Sequence, residues 1–344
     1  MYFDLYLPFP IPRSNDIPKK KKDKSKGKGK AEDSSAAESV PQSCWAGLEE
    51  GEREGFARSM ALSGHLGYSI VGCTVNPSTS ALAHVSPFLR ALPYPQLDPR
   101  SREDGKSGQS SNQGLTMVQV SRLHLHLDDS RTHCLTGANS AVLKEYDIIS
   151  VQPLTEKAFQ LVCTDLCLPG PNQVSIITLP LHERPYHFRL NRKQVRQAQR
   201  NGVMFEILYS AALSPSSASR ETARRYRQNF LSNAKELVRI TGGKGIILSS
   251  GPGGGDDSMR GPLDLVNLGT MLGMPANLAK DAVSANPKRV LLNAQARRTF
   301  KGVMTMPKMV DPPEPSAALV EAEGRAKRQS DTGQLQEAKR VKIA

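Results

Sequence analysis

The strongest constraint on this chain is an alternation sustained from residue 2 to residue 296, in which short β-branched runs are separated by segments of helical period. Tyr68–Val75 (YSIVGCTV), Val118–Leu127 (VQVSRLHLHL), Asp147–Val151, Val174–Leu179, Met204–Tyr209 and Gly245–Ser250 each read as a strand, and YFDLYL at 2–7 adds a seventh. Helix-period stretches lie at Glu49–Leu66, Ala138–Tyr146, Glu156–Asp165, Leu190–Gln199, Ser219–Ile240, Leu263–Leu272 and Asn277–Ala296. Strands that alternate with helices pair in parallel, because each crossover returns the chain to the edge it left. Seven units with no convincing eighth favour an α/β fold of the TIM type, a distorted (β/α) barrel of seven or eight parallel strands, over an open sheet.

Composition shifts set the expected boundaries. The stretch 13–47 is rich in Lys, Gly and Ser, and 93–114 is similarly polar; neither offers enough apolar surface to offset its ordering entropy, so both are expected to be disordered insertions. The tail 304–344 has the same character, which leaves 1–12 as the first strand and 48–92 with 115–303 as the body of the barrel. There is no 18-residue apolar run, so no membrane span is expected, and the N-terminus has no basic segment before its apolar residues, unlike a signal peptide. Five scattered cysteines, Cys44, Cys73, Cys134, Cys163 and Cys167, fit core thiols in a reducing compartment better than a disulfide framework or a zinc site.

Two kinds of chemistry compete for this scaffold. RLHLHLDD at 122–129 places His124 and His126 on one face of a strand, with Asp128 and Asp129 at its C-terminal end, a combination that a metal-dependent phosphoesterase would use. Such a site needs further ligands at other strand ends, and SVQP, TLPL, LYSA and SSGP supply no His, Asp or Glu. No nucleophile elbow follows a strand, and SSGPGGGDD lacks the Gly-Lys-Ser/Thr ending of a phosphate loop. No catalytic residue, metal site or cofactor is therefore expected.

Charge points elsewhere. The chain carries 46 Lys+Arg against 33 Asp+Glu, a formal net charge of +13, which suits a polyanionic partner. In HERPYHFRLNRKQVRQAQR, Arg192, Arg196 and Arg200 share one helix face beside Lys193, and such like-charge stacking is unfavourable unless an anion neutralises it. RETARRYRQN contributes Arg224, Arg225 and Arg227, and the last helical segment contributes Arg297, Arg298 and Lys301. These ten residues form the expected pool of RNA contacts. In the tail, Lys327 and Arg328 precede Lys339, Arg340 and Lys342 at bipartite nuclear-import spacing, so a nuclear and nucleolar location is expected.

The stretches HLGYSIVG (65–72), EYDIISVQPLTEKAFQLVCT (145–164), RNGVMFEILYSAAL (200–213), RRYRQNFLSNAKEL (224–237), IILSSG (246–251) and RGPLDLVNLGTMLGM (260–274) occur in an order that resembles the thirty-kilodalton-class barrel subunit of eukaryotic and archaeal ribonuclease P and RNase MRP. The resemblance implies a non-catalytic RNA-binding subunit that stabilises a catalytic RNA. That RNA removes the 5′ leader of precursor tRNA or, in RNase MRP, processes ribosomal RNA. It also implies a small ferredoxin-like protein subunit as partner, and only indirect contact with the tRNA precursor. The family is similar in fold to the polymerase-and-histidinol-phosphatase (PHP) barrels, whose first strand carries a metal-binding Asp-Leu-His-x-His. Here that strand reads Asp4-Leu5-Tyr6-Leu7-Pro8, without either histidine.

Overall fold

The structure is a computed structural model and describes residues 1–12, 43–101, 116–128, 133–182, 190–213, 220–252 and 258–299. The chain divides into two units, Met1–Met304 and Thr305–Ala344, and every described residue belongs to the first. Seven strands form one sheet in sequence order: β1 (Phe3–Pro8), β2 (Ile70–Val75), β3 (Val118–Leu127), β4 (Ile148–Pro153), β5 (Ile176–Leu179), β6 (Met204–Leu208) and β7 (Ile246–Ser249). All neighbours pair in parallel. The two ends of the sheet meet through three bonds: Ser250 Oγ donates to Tyr6 O at 2.7 Å, Ser250 N to Asp4 Oδ1 at 3.1 Å, and Gly251 N to Tyr6 O at 3.3 Å. The result is a nearly closed TIM-type barrel of seven strands.

The helices are α1 (Glu50–His65), α2 (Ser140–Leu143), α3 (Glu156–Thr164), α4 (Arg192–Arg200), α5 (Ser210–Leu213), α6 (Arg220–Thr241), α7 (Pro262–Met271), α8 (Ala276–Val283) and α9 (Ala285–Arg298). Local sequence sets several starts. Thr155 accepts from Ala158 N at the head of α3, Asn191 accepts from Lys193 N at the head of α4, and Pro262 opens α7, where its missing N–H costs nothing. The single helix expected over Asn277–Ala296 is two, broken at Ser284 (φ −132°, ψ −75°). Pro287 causes the break, since its ring would collide with the carbonyl four residues earlier and it has no N–H to donate.

Two disordered insertions were expected to span 13–47 and 93–114, and parts of both are ordered. Trp45 packs on Phe9 and Phe56, and Tyr94 packs on Trp45 and Phe56. Gln119 bonds both the N–H and the C=O of Tyr94, and the buried Asp98 accepts from Arg100 and from Gln119 N. These bonds satisfy the backbone of 94–100 against β3, which composition alone does not reveal. The rest of the two insertions, 13–42 and 102–115, and the tail from 300 lie outside the described residues.

Apolar side chains sort into two layers. One cluster fills the space between sheet and helices, while Phe3, Leu5, Val120, Ile148, Ile176, Met204 and Ile247 meet inside the barrel, where Val290 of α9 closes its N-terminal end. At Gly72 the bulged β1 comes so close that an added Cβ would stand 2.3 Å from Leu5 O, so only glycine fits.

Candidate nucleic-acid interface and the barrel interior

Above the apolar layer the barrel holds a charged one. Arg122 points inward from β3, and its guanidinium forks onto Glu206 of β6 through Nη1–Oε1 (2.7 Å) and Nη2–Oε2 (2.5 Å), with both side chains fully buried. The remaining donors are also used: Nη1 reaches Leu5 O at 2.8 Å, Nε reaches Ser150 Oγ at 2.8 Å, and Nη2 is 3.4 Å from Thr178 Oγ1. Thr178 in turn donates to Glu206 Oε2 at 2.7 Å, and the Tyr6 ring lies 4.6 Å below the guanidinium carbon. A fully bonded, bidentate pair of this kind is the arrangement in which two buried charges are tolerated. Neither residue stands out in the sequence, where Arg122 and Glu206 lie inside separate strands. The available signal was opposite charges on the inward phase of two strands.

The two histidines do face inward, as strand alternation required, and the contacts each makes are with protein groups. Ser150 Oγ gives its proton to Leu123 O and accepts from Arg122 Nε and His124 Nδ1 (2.9 Å), so the His124 ring is a bonded filler above the ion pair. Burial, then the Arg122 charge, holds its pKa well below the usual imidazole range. His126 bonds Asn76 instead, at 3.1 Å, and burial lowers its pKa too. Tyr6 packs edge-on against His124. The Arg122 guanidinium shares Ser150 Oγ with His124, and no cluster of three metal-ligating side chains exists among the described residues. Asp128 is exposed at the strand end, and Asp129 lies outside the described residues.

Asp4, the other buried acid, sits at the β1–β7 seam. Its Oδ1 accepts from Tyr6 N and Ser250 N, whereas Oδ2 is buried without a partner. Burial pushes its pKa up to about 6 against the opposing effect of those bonds.

The expected RNA contacts separate into three groups. Arg192, Lys193, Arg196 and Arg200 are exposed along α4, which is anchored by the buried Val195 and Ala198. Among the described residues no acid pairs with any of the four. Arg224, Arg225 and Arg227 are exposed on the first half of α6. No residue of 220–229 is buried there, and the buried face begins at Phe230. Asn233 Nδ2 bonds Leu181 O at 2.8 Å, just beyond β5, and the turns before it meet His182 through the Tyr226 ring and Asn229 Nδ2. Arg225 is paired with Glu221 on this half of the helix, and Arg227 Nε donates to Ala223 O.

The third group is corrected by the structure. Arg297 is only 2% exposed and donates to Leu143 O, Pro171 O and Tyr146 O, tying α9 to the base of the barrel. Burial and the neighbouring Arg298 pull its pKa down to about 10. It is a structural latch out of reach of RNA. Arg298 is committed to Asp147, which also holds the N–H and hydroxyl of Ser121. Lys301 and the import residues Lys327, Arg328, Lys339, Arg340 and Lys342 lie outside the described residues.

A sequence model of the RNase P subunit p30 family matches residues 50–299. The chain belongs to that family. Ribonuclease P protein subunit p30 of Mus musculus is 35% identical over 201 residues, 58% of this chain and 67% of the relative. Ribonuclease P protein subunit drpp30 of Dictyostelium discoideum is 32% identical over 213 residues, 61% of this chain and 53% of the relative. Ribonuclease P/MRP protein subunit RPP1 of Saccharomyces cerevisiae is 28% identical over 178 residues, 52% and 54% of the two chains. The chain therefore spans between half and two thirds of these p30-family relatives. A chain in a cryo-EM structure of archaeal Ribonuclease P with mature tRNA shares the fold, with a TM-score of 0.50 and 13% identity over 77% of this chain and 97% of that one. The p30-family match begins after β1, which the structure nonetheless pairs with β2 and joins to β7.

Proposed function

We propose that this chain is an RNA-binding, non-catalytic protein subunit of ribonuclease P and of RNase MRP. In this reading the particle's RNA performs the cleavage of precursor tRNA or the processing of ribosomal RNA, and the protein holds that RNA in shape. Its contact with precursor tRNA is indirect, and a small ferredoxin-like subunit of the same particle is its protein partner. The observation that carries the reading is the α4 row of a p30-family member: Arg192, Arg196 and Arg200 follow one another at about 6 Å along the axis, and among the described residues no acid forms an ion pair with them. A phosphate backbone supplies the missing countercharge, and the exposed arginines of α6 add to the basic surface. The filled interior supports a positioning role, since the charged groups of the barrel are occupied with one another. A nuclear and nucleolar location follows from the tail pattern and is tested by deleting 327–342 from a fluorescent fusion, which is expected to lose nuclear accumulation.

Replacing Arg192, Arg196 and Arg200 together by alanine is expected to weaken binding to the particle's RNA. The slope of log affinity against log salt is expected to fall by about 0.7–0.9 for each lost phosphate contact. An unchanged slope would remove α4 from the interface.

A further inference from the structure

At the C-terminal mouth of the barrel, the ends of β3 and β4 and the turn after β2 enclose a cavity of about 320 Å³ lined by Ser78, Thr79, Ser80, His126, Asp128 and Leu154. This is the end at which barrels of this type present ligand-binding groups, and the volume is at the small end for a ligand site. The Arg122–Glu206 pair does not line it, and neither does any residue of α4.

Its chemistry is mixed in a specific way. Asn76 Nδ2 donates to His126 Nε2 at 3.1 Å, which leaves the ring proton on Nδ1, where it meets no partner among the described residues. Burial keeps that imidazole neutral. Ser78 and Thr79 add exposed hydroxyls, and Leu154, 43% exposed, offers an apolar plate. Asp128 adds a carboxylate at the rim. A carboxylate has about four acceptor positions and keeps capacity for a new partner beside any it already holds. It also repels a phosphate, so the ligand must bring N–H donors of its own, together with acceptors for the imidazole and the hydroxyls and a flat face for Leu154. An arginine side chain has the donors without the acceptors. A nucleobase has both, and guanine alone among the RNA bases carries two adjacent N–H donors, N1–H and N2–H, beside its O6 acceptor.

We infer that this mouth is a subsite for an unstacked guanine of the RNA, with Asp128 accepting from N1–H and N2–H, His126 and the Ser78 and Thr79 hydroxyls donating toward the base's acceptors, and Leu154 covering one face. The inference rests on the RNA-binding reading and gives that surface a base-reading element where α4 supplies only phosphate contacts.

The test titrates the full chain with GMP, AMP, CMP, UMP, inorganic phosphate and N-acetylarginine amide while following the His126 ring resonance, assigned by its loss in His126→Gln. GMP is expected to shift it at concentrations about tenfold or more below those at which the other nucleotides do, the scale of one bidentate base contact. Asp128→Asn, at an exposed position, is expected to abolish that preference and to leave the salt slope of RNA binding unchanged. Equal response to all nucleotides, response to phosphate or the arginine amide in place of GMP, or none at all overturns the guanine subsite. Each of these outcomes leaves the RNA-binding reading to be judged separately by the α4 variant.

Discussion

The interior of the barrel and the outer face of α4 both carry arginine, and the two regions treat its charge in opposite ways. Arg122 is fully buried, and every nitrogen of its guanidinium has an acceptor, two of them on Glu206. Arg192, Arg196 and Arg200 are exposed, and no acid pairs with them among the described residues. Inside, the protein has met the cost of desolvating a charge with a complete set of partners. Outside, it leaves like charges beside one another, which weakens an isolated helix and gains only when a partner arrives. Charge as internal structure and charge held ready for binding are thus distinguished by partners rather than by residue type.

The comparison is broken most forcefully from the inside. Glu206→Ala removes the countercharge and leaves Arg122 buried beside two hydroxyls and a carbonyl. Urea denaturation is expected to show a loss of about 3–5 kcal/mol. Replacing both members with apolar residues, Arg122→Met with Glu206→Leu, is expected to recover part of that loss because no orphan charge remains. A cost below about 1 kcal/mol for Glu206→Ala would mean that water reaches the pair and that the interior is not the dry layer described above.

Arg297 sharpens the same contrast at a second buried guanidinium. Arg297→Ala strips donors from four carbonyls at the base of the barrel, and is expected to cost about 3 kcal/mol, near the upper end for a charged hydrogen-bonded group. RNA affinity measured on the folded fraction is expected to stay unchanged. A drop in affinity without a drop in stability would return Arg297 to the interface.

These two arginines also mark how far sequence reaches. The seven strands and most helices were legible because their apolar spacing repeats, and α4's basic row was legible because helical phase puts Arg192, Arg196 and Arg200 together. The break at Ser284 had a visible signal in Pro287 that periodicity overrode. Arg297 had one as well: with Val290 and Ala294 it continues the buried face of α9, all three buried at i, i+4 and i+7. Arg122 and Glu206 are separated by 84 residues, and no local pattern records that pairing. The rim cavity escaped for a related reason, since its lining comes from three separate strand ends.

Asp4 provides a milder case, a buried carboxyl with only one oxygen bonded. Its folded pKa of about 6 lies above the ordinary carboxyl value of 3.8, so the native state binds the proton more tightly than the unfolded chain does. The stabilisation from this group is therefore complete below about pH 4 and is lost as pH rises toward 6, at most about 3 kcal/mol at about 1.36 kcal/mol per pKa unit. Comparing chemical denaturation of the wild-type chain and Asp4→Asn from pH 4 to 7 is expected to show the wild type losing ground across that window. A parallel pair of curves would mean that the β1–β7 seam keeps Asp4 as accessible to solvent as the unfolded chain does.

The smallest effect on stability is expected where the effect on binding is largest. In the triple variant Arg192→Ala, Arg196→Ala, Arg200→Ala no buried contact is lost, since Val195 and Ala198 anchor α4 and remain in place. Two like-charge neighbours at i, i+4 disappear, and alanine is the better helix former, so the free protein is expected to change by no more than about 0.5 kcal/mol, in the stabilising direction. If instead the variant is destabilised by more than about 1 kcal/mol, the row makes contacts that hold the fold, and its weaker RNA binding is a consequence of lost structure. A neutral or slightly positive change, together with a shallower salt slope, separates the two uses of arginine within one chain. In the proposed reading the barrel needs Arg122 and Arg297 whether or not RNA is present, and it carries the α4 row at a small standing cost that an anionic partner removes.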